Sequence, residues 1–562
     1  MSLLGALWME GWLRNVDHAL ALSMRHAQGD SSDWVLAAAA LASRALGNGH
    51  SRLPLSRLPE LFAEIDASRD TPALPPLSDW LELLARSPWV LVAADADADD
   101  RPDVVLVLEG DAVSLRRYWR YECRLAAALL QRADQASRLQ LLTGGPGTGK
   151  TTRVARLMVE FATAQALLAT STMTSASATP ARILLAAPTG KAASRLSESV
   201  RETLAAQVAA GTLDPALAAR LPTDASTVHR LLGWQRGGSF RHDHDHPLPA
   251  DLVVVDEASM VDLPLMCKLV EAVPPEAMLV LVGDRDQLPS VETGDVLAAL
   301  CEASDAAHSP LAAVRTQLEH SYRQGEEVDV PQLARLVRDG DAGQVLDGLQ
   351  EQAFRGVCWR SGGDAGLHEA VLDDALPAYR ALLEAADVAS ALQRARAFRV
   401  LCAVREGPAG SVTLNALIER ALEPLHGGRG WSRGRLWLVT ENSYRQQLFN
   451  GDIGIAWPDE QGQIRAWFDT DDGPRAWLPA AMPAHESAFA MTVHKAQGSE
   501  FGRVLLVLPE RGARVVSREL IYTGLTRCRR SVMLMATEAV LRDGIARRAQ
   551  RWSGLAARLG SG

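Results

Sequence analysis

The 562-residue sequence lacks three features that would place the protein in other classes. No run of about 18 apolar residues occurs, which argues against a membrane-spanning helix. The six cysteines are scattered and form no CxxC pair, so we expect reduced structural thiols rather than a zinc or iron–sulfur cluster. Basic residues are in deficit, with 58 Lys and Arg against 68 Asp and Glu. Any nucleic-acid contact is therefore predicted to be a local channel.

The amino terminus has an amphipathic helical pattern that Glu10, Arg14 and Asp17 interrupt, which is not typical of a secretory signal. We therefore expect a cytoplasmic protein. The length allows about three or four domains of ordinary size. Residues 1–110 alternate Leu- and Ala-rich helical segments with loops and carry no chemical motif, which predicts a helical accessory domain.

From residue 139 the pattern changes to short apolar runs that end in polar residues and are followed by helical segments. This alternation is typical of an α/β fold with parallel sheets. Two such series predict two RecA-like P-loop NTPase lobes, over residues 111–330 and 331–562. The predicted strands of the first lobe are 139–144, 182–189, 251–257 and 278–284, and those of the second are 398–404, 489–495, 504–510 and 532–536.

Residues 430–485 have a different character, with short alternating runs separated by turn residues. They predict a small antiparallel β barrel inserted into the second lobe. Four tryptophans fall in this segment. We expect them to fill the core of the barrel, and stacking on nucleic-acid bases is the alternative. They are Trp437, Trp457, Trp467 and Trp477.

The strongest motif is GGPGTGKTT, which lies between an apolar strand and a helical segment. In such a loop, backbone N–H groups and the helix amino terminus hold phosphate groups. Lys150 would reach the β- and γ-phosphate oxygens of ATP, and Thr151 would bind Mg²⁺. The predicted nucleotide-binding residues are Gly144, Gly145, Pro146, Gly147, Thr148, Gly149, Lys150, Thr151 and Thr152.

Two later strands deliver further polar side chains to the same edge of the predicted sheet. After LVVV, Asp256 is expected to bind Mg²⁺ and Glu257 to act as the base that activates water. In VGDRDQLPSV, Asp284 and Gln287 follow the strand, and the Gln287 amide is expected to contact the γ-phosphate or the attacking water.

Phosphoryl transfer at a boundary between lobes needs positive charge from outside the P-loop. Arg323 in HSYRQ and Arg527 in GLTRCRR are the predicted catalytic arginines. The catalytic set is therefore Lys150, Glu257, Gln287, Arg323 and Arg527.

In chain order, these segments resemble the motif series of superfamily 1B DNA helicases. Phrases such as DASTVHRLLG, DEASMVDLP, LCAVREGP and TVHKAQGSEF resemble RecD, the alpha subunit of the RecBCD exonuclease V complex. The resemblance covers about residues 139–562 and extends weakly into the amino-terminal domain. It implies 5′-to-3′ translocation on single-stranded DNA, driven by ATP and Mg²⁺, in double-strand break repair by homologous recombination. It also implies an SH3-like inserted domain and assembly with RecB-like and RecC-like subunits.

Matching the motifs position by position implies further site residues. Gly498 and Glu500 fall at the lobe interface near the nucleotide. Seven residues fall in segments that line the DNA path in similar helicases, and hydroxyl, imidazole and ammonium donors suit contacts to phosphates. They are Pro188, Thr189, Lys191, His229, Thr492, His494 and Lys495.

Several alternatives stay open at this point. Relatives have a glutamine that recognises adenine in a longer helical region before the P-loop, so either Gln131 or Gln135 substitutes or the segment is missing. The RHDHDHP run at 241–247 is interpreted as a solvated loop, with a metal site as the alternative. No nuclease centre is expected. A stand-alone helicase and an ATP-switched regulatory subunit that unwinds nothing are the competing functions.

Overall fold

The structure is a computed structural model. It describes residues 2–28, 32–66, 68–93, 104–135, 138–171, 181–235, 237–306, 309–319, 328–363, 366–426, 431–443, 445–470, 473–511 and 513–560. Within these ranges, no helix is both long and apolar enough to cross a membrane.

The amino-terminal domain contains helices around a buried, Ala-rich central helix, together with a four-stranded sheet. In the sheet the strand order is β1-β4-β3-β2, with β2 parallel to β3 and the other pairs antiparallel. The elements are α1 Leu3–Met9, α2 Asn15–Gln28, α3 Asp33–Gly47, β1 Leu53–Pro54, α4 Leu58–Ile65, α5 Leu77–Ala85, β2 Val90–Val92, β3 Leu106–Glu109 and β4 Ala112–Leu115.

The prediction of a helical accessory domain accounted for the helices but missed the sheet. Its strands are only two to four residues long and cannot show a clear period of two. The predicted boundary at residue 110 also falls inside the β3–β4 hairpin, where Gly110 lies in the turn.

The first lobe is a parallel six-stranded sheet with the strand order β10-β5-β9-β8-β6-β7. Apolar clusters cover both faces, as a parallel sheet requires. The elements are α6 Arg116–Asp134, β5 Leu139–Gly144, α7 Lys150–Ser171, β6 Ile183–Ala187, α8 Gly190–Ala209, α9 Pro215–Ala218, β7 Ala225–Thr227, α10 Val228–Leu231, β8 Leu252–Val255, α11 Leu263–Ala272, β9 Met278–Gly283, α12 Val296–Asp305 and β10 Arg315–Leu318.

The second lobe begins with two helices and the first strands of another parallel sheet. The full sheet has the strand order β11-β20-β19-β12-β18. Its first elements are α13 Val330–Asp339, α14 Ala342–Gln350, β11 Val357–Arg360, α15 Leu367–Leu383, α16 Val388–Ala397, β12 Phe398–Cys402 and α17 Ser411–His426.

An antiparallel five-stranded sheet then interrupts the lobe, with the strand order β16-β15-β14-β13-β17. Trp437, Trp457 and Trp477 are buried in it, and the Trp467 indole donates to the Trp457 carbonyl at 3.0 Å. Trp477 fills the core of the insertion as predicted. Trp457 and the partly buried Trp467 pack instead against the core of the second lobe, so the prediction was wrong for these two. The strands are β13 Leu436–Val439, β14 Ile453–Pro458, β15 Ile464–Thr470, β16 Gly473–Trp477 and β17 His485–Ser487.

The lobe resumes after the insertion and completes its parallel sheet, so the predicted α/β fold with two RecA-like lobes is confirmed. The remaining elements are β18 Ala490–Thr492, β19 Phe501–Val507, α18 Arg518–Thr526, β20 Cys528–Met535, α19 Glu538–Ala546 and α20 Leu555–Gly560. Short 3₁₀ turns lie at Leu55–Arg57, Ala258–Met260, Ala312–Val314 and Pro479–Ala481.

The predicted range 331–562 assigned the last residues of the chain to the second lobe, but they do not belong to that lobe. In this carboxy-terminal segment, residues 547–560, Leu555 and Leu559 join the core of the first lobe. Trp552 joins the core of the amino-terminal domain. The buried Glu122 carboxylate of α6 accepts hydrogen bonds from Ser553 and Gly554. Burial of these apolar side chains therefore stabilises the chain end on the first lobe and the amino-terminal domain rather than on the second lobe.

Candidate functional site

The P-loop is formed at the carboxyl end of β5, where the strand passes into α7. Gly147 and Gly149 have φ angles of 77° and 81°, in a region that side chains with a Cβ rarely adopt. The Thr148 hydroxyl donates to the Gly145 carbonyl at 2.8 Å and closes the loop. The predicted strand–loop–helix context of the phosphate-binding motif is therefore present.

Lys150 is the first residue of α7, and Thr151 and Thr152 follow in its first turn. The Lys150 ammonium group folds back over the loop and donates to the carbonyl oxygens of Gly144 and Gly145 at 2.5 and 2.9 Å. The positive charge thus lies directly beside the amino terminus of the helix, where an anion is favoured.

Asp256 and Glu257 follow β8 at the same edge of the sheet. Glu257 has a φ of 50°, and its N–H donates to the Asp256 carboxylate at 2.9 Å. Burial, and next the charge of Glu257, raise the pKa of Asp256 to about 6, while Lys150 acts in the opposite direction. Two carboxyl groups and one ammonium group therefore interact electrostatically at this edge.

Asp284 and Gln287 follow β9 and are almost completely buried, with 2% and 5% of their surface exposed. The Gln287 amide donates to Asp284 Oδ2 at 3.2 Å. Burial, and next the charge of Asp284, raise the pKa of the neighbouring Asp286 to about 6. The Gln287 amide is thus hydrogen-bonded to a carboxylate of the same lobe.

The second lobe closes the site from the other side. The Tyr522 hydroxyl, on α18, donates to Asp284 Oδ2 at 3.0 Å. The next residue, Thr523, accepts a hydrogen bond from the Leu288 N–H at 2.9 Å. The Gln497 amide donates to the Leu288 carbonyl at 3.1 Å. Three hydrogen bonds therefore join the lobes beside the P-loop.

Arg527 directly follows α18 and is buried, with 3% of its surface exposed. Its guanidinium group donates to the backbone carbonyls of Thr523 and Ser499 at 3.2 and 3.5 Å. Both partners belong to the second lobe, so the arginine is held in that lobe. The other predicted catalytic arginine, Arg323, lies outside the described residues.

Gly498 and Glu500 lie at the boundary between the lobes, and Arg195 of the first lobe contacts both. The Arg195 guanidinium donates to the Gly498 carbonyl at 2.7 Å and lies 3.4 Å from the Glu500 carboxylate. Arg529 approaches the same carboxylate at 2.9 Å. Two cations therefore share one acidic group at the boundary between the lobes.

The start of α8 meets the inserted β domain. Thr189 caps the helix by accepting from the Ala192 N–H, and Lys191 follows it. The Lys191 ammonium group lies 3.4 Å from the Gly451 carbonyl. Burial, and next the charge of Arg195, lower the pKa of Lys191 to about 7, while the nearby Asp452 acts in the opposite direction.

The other predicted DNA-contacting residues also lie where strands end. Pro188 follows β6, and His229 is exposed on α10, directly after β7. Thr492 ends β18, and burial lowers the pKa of His494, two residues later. Lys495 forms an ion pair with Glu486 of the insertion. These residues come from both lobes and share the carboxyl edges of the two sheets.

The two candidates for adenine recognition are not at this edge. Gln131 is exposed near the carboxyl end of α6, and Gln135 follows the helix, so both precede the amino end of β5. The P-loop lies at the opposite end of that strand. Neither glutamine is therefore placed beside the nucleotide phosphates.

The His/Asp run forms a local turn. The Asp243 carboxylate accepts from the N–H groups of Asp245 and His246 at 3.0 and 2.9 Å. In the part of the chain that the structure describes, no group of three or more His, Cys, Asp or Glu residues is arranged to hold a metal ion.

Sequence reasoning missed the residues that join the lobes. Arg195 stands in AAPTGKAASRL and Tyr522 in LIYTGLTRCRR, next to residues that were singled out. Their partners, Glu500 and Asp284, are 305 and 238 positions away by residue number, so no local pattern reveals the contact. Only the closed arrangement of the lobes brings them together.

A P-loop in one parallel-sheet lobe, completed by buried side chains from a second such lobe, defines a two-lobed ATPase of the helicase class. Known families agree with this assignment. The RecBCD enzyme subunit RecD amino-terminal domain matches residues 9–113. An AAA domain matches residues 127–293, and a UvrD-like helicase carboxy-terminal domain matches residues 487–535.

Two curated relatives match the chain over nearly its whole length. The RecBCD enzyme subunit RecD of Mycobacterium tuberculosis is 38% identical over 95% of this chain and 92% of its own. That of Mycolicibacterium smegmatis is 37% identical over 93% of both chains. The chain belongs to the RecBCD RecD subunit family.

Two further proteins are more distant. The ATP-dependent RecD2 DNA helicase of Deinococcus radiodurans is 35% identical over 70% of this chain, but the match covers only 46% of that helicase. Among solved structures, Bacteroides Pif1 bound to single-stranded DNA is 15% identical, with 73% of this chain and 91% of that chain covered and a TM-score of 0.37.

Proposed function

We propose that this chain is the ATP-dependent 5′-to-3′ DNA helicase subunit of a RecBCD-type enzyme. It moves along single-stranded DNA at duplex ends, together with RecB-like and RecC-like subunits, in double-strand break repair by homologous recombination. The observation that carries this proposal is the composite site, in which Tyr522 of the second lobe reaches Asp284 of the first beside the P-loop. A nucleotide bound there contacts both lobes, so its hydrolysis alters their separation.

The proposed chemistry divides between the lobes. Lys150 holds the β- and γ-phosphate oxygens, Glu257 accepts a proton from the attacking water, and Gln287 orients that water. Arg527 supplies positive charge from the second lobe, and Arg323 is proposed for the same role. The other P-loop residues, with Gly498 and Glu500, complete the nucleotide contacts.

Thr151 and Asp256 have the chemistry to hold Mg²⁺. Burial and the like charge of Glu257 raise the pKa of Asp256 to about 6, so a cation placed there offsets two crowded carboxyl groups. When bound, Mg²⁺ neutralises charge on the β- and γ-phosphate oxygens.

The proposed DNA path crosses both lobes along the carboxyl edges of their sheets. Pro188, Thr189, Lys191 and His229 contribute from the first lobe, and Thr492, His494 and Lys495 from the second. Contacts that hold the backbone and ignore base identity suit a motor that moves along any sequence. Changes in lobe separation then move one set of contacts relative to the other.

Strand displacement on duplexes with a 5′ or a 3′ single-stranded tail tests the proposal. We expect the wild-type chain, with its partner subunits, to unwind the 5′-tailed duplex, and Lys150→Ala to lose this activity while leaving any unwinding of the 3′-tailed duplex unchanged. Lys150→Ala or Glu257→Gln is expected to reduce ATP turnover by about 100-fold or more. Arg153→Ala is the matched control, because Arg153 lies on the same helix and pairs with Glu160 at 3.3 Å.

Three outcomes separate the functions. Displacement that requires the partner subunits supports a helicase subunit, whereas full displacement by the isolated chain indicates a stand-alone helicase. ATP turnover without displacement under any condition indicates a regulatory subunit. Normal turnover in Lys150→Ala would contradict the assigned nucleotide site.

A further inference from the structure

The Tyr522 side chain of the second lobe makes a buried contact with the P-loop region of the first lobe. Only 5% of its surface is exposed, and its hydroxyl donates to Asp284 Oδ2 at 3.0 Å. A Cβ atom added at Gly145 would lie 3.0 Å from the hydroxyl oxygen. The hydroxyl is therefore positioned between the P-loop and the end of β9.

Asp284 connects this hydroxyl to Gln287. The same oxygen, Oδ2, accepts from the Gln287 amide at 3.2 Å. The other oxygen, Oδ1, accepts from the Asp286 N–H at 3.1 Å and fixes the carboxylate plane. One carboxylate oxygen is thus shared by a glutamine of the first lobe and a tyrosine of the second.

We propose that Tyr522 is a positioning residue that holds Gln287, through Asp284, in the orientation for ATP hydrolysis only while the lobes are closed. The inference rests on the proposed function, in which Gln287 orients the attacking water. A hydrogen bond to a carboxylate is directional and is lost when its partners separate. When α18 withdraws, Asp284 keeps only its contacts within the first lobe.

The surroundings of the tyrosine favour this role over simple packing. Burial, and next the charge of Asp284, raise the pKa of Tyr522 well above its ordinary value, so the hydroxyl keeps the proton that it donates. The backbone after Gln287 is held separately, since Thr523 accepts from the Leu288 N–H. Loss of the Tyr522 hydroxyl alone would therefore leave the lobes in contact and change only the hydrogen-bond partners of the Asp284 carboxylate.

Tyr522→Phe tests the inference, because it removes the hydroxyl and keeps the ring. In the full chain, with partner subunits, we expect the DNA-stimulated kcat for ATP to fall by about tenfold, with the KM changed by less than about twofold. Tyr379→Phe is the matched control. Tyr379 is also a buried tyrosine of the second lobe, but its hydroxyl donates to the Phe489 carbonyl within that lobe. We expect it to keep the wild-type kcat.

The double variant Tyr522→Phe/Gln287→Ala separates positioning from a general structural effect. If Tyr522 acts through Gln287, the double variant turns over ATP as slowly as Gln287→Ala alone. A further tenfold loss, or a wild-type kcat in Tyr522→Phe, would overturn the inference. Asp284→Asn, which weakens the acceptor and retains its shape, is expected to reproduce the lower kcat and covers the case in which Tyr522→Phe does not fold.

The kcat of Gln287→Ala distinguishes a failure of the role proposed for Gln287 from a failure of the role proposed for Tyr522. A normal kcat in Gln287→Ala would overturn the role proposed for that glutamine, and this inference with it. A slow Gln287→Ala beside a normal Tyr522→Phe would overturn the inference alone and leave the helicase function standing.

Discussion

Both lobes are parallel sheets in which a buried strand leads through a loop into a helix, yet the two loops differ in chemistry. In the first lobe, β5 leads into GPGTG, and Lys150 begins α7. In the second lobe, β12 leads through residues 403–410, AVREGPAG, to α17, which begins with Ser411. The second loop has no lysine at the helix start and one glycine fewer.

The difference shows that the strand–loop–helix topology does not by itself make a phosphate site. Glycine spacing allows backbone N–H groups to converge, and the lysine adds the charge that holds the γ-phosphate. The second lobe instead contributes Tyr522 of α18, which reaches Asp284 of the first lobe, and Arg527, which is held within the second lobe. In the proposed function, the first lobe binds the nucleotide and the second lobe completes the site.

The largest effect on kcat for ATP is expected from removing the Arg527 guanidinium group, the catalytic cation proposed for the second lobe. Arg527→Ala should lower kcat for ATP by about 1,000-fold or more, because the buried guanidinium group supplies transition-state charge from outside the P-loop. Single-turnover ATP hydrolysis measures this directly. Arg530→Ala, three residues later and exposed, is the control and should stay near the wild-type rate. Normal turnover in Arg527→Ala would remove the proposed division of labour between the lobes.

An intermediate effect, on the free energy of unfolding, is expected at His50, which contacts the carboxy-terminal segment. His50 is 2% exposed, accepts from the Trp552 N–H at 3.1 Å and donates to Glu64 at 2.7 Å, which requires a neutral ring. Burial, and next the charge of Arg551, lower the pKa of His50 from 6.5 to about 3.

The sign of the pH dependence follows from that lowered pKa. Between pH 6.5 and about 3 the unfolded chain binds a proton that the folded chain does not, so stability falls as the pH decreases through this window. His50 alone is expected to subtract about 2 kcal/mol from the free energy of unfolding between pH 8 and pH 5, while the raised pKa values of Asp256 and Asp286 act in the opposite direction. Denaturant unfolding should therefore show that the free energy of unfolding of His50→Gln, relative to the wild type, rises by about 2 kcal/mol from pH 8 to pH 5. The control His26→Gln, at an exposed histidine of α2, should keep the wild-type slope, and equal slopes in all three proteins would contradict the prediction.

The smallest effect is expected on the affinity for single-stranded DNA. It is measured by comparing one proposed DNA contact from each lobe, Lys191 and Lys495. Since the pKa of Lys191 is lowered to about 7, the ammonium form that phosphate favours is lost as the pH rises through 7. Affinity for single-stranded DNA should therefore weaken from pH 6 to pH 8 by a few-fold, on the order of one phosphate contact. Fluorescence anisotropy should show that Lys191→Ala reduces this pH dependence. Lys495→Ala should lower affinity but retain the wild-type pH dependence, and an equal pH dependence in Lys191→Ala and the wild type would reject the assignment.

The parts of the molecule that could be predicted are those encoded locally. The P-loop, the Asp256–Glu257 pair and the longer buried strands each carry their signal within about ten residues, because burial on both faces requires continuous apolar runs. The short strands of the amino-terminal domain carry no such pattern.

Contacts between distant parts of the chain could not be predicted. The pairing of Tyr522 with Asp284 and that of Arg195 with Glu500 depend on how the lobes close. The return of the carboxy-terminal segment to the first lobe depends on apolar side chains that would equally suit a helix of the second lobe. In each case the sequence contains the residues, and only the tertiary arrangement selects their partners.

The carboxy-terminal segment also limits the distance between the second lobe and the amino-terminal domain. α19 ends at Ala546 in the second lobe, and Trp552 is anchored in the amino-terminal domain. The residues between them can extend over a distance on the order of 20 Å before they become taut. In the proposed motor, this tether of fixed length would set an upper bound on how far the second lobe moves in each cycle.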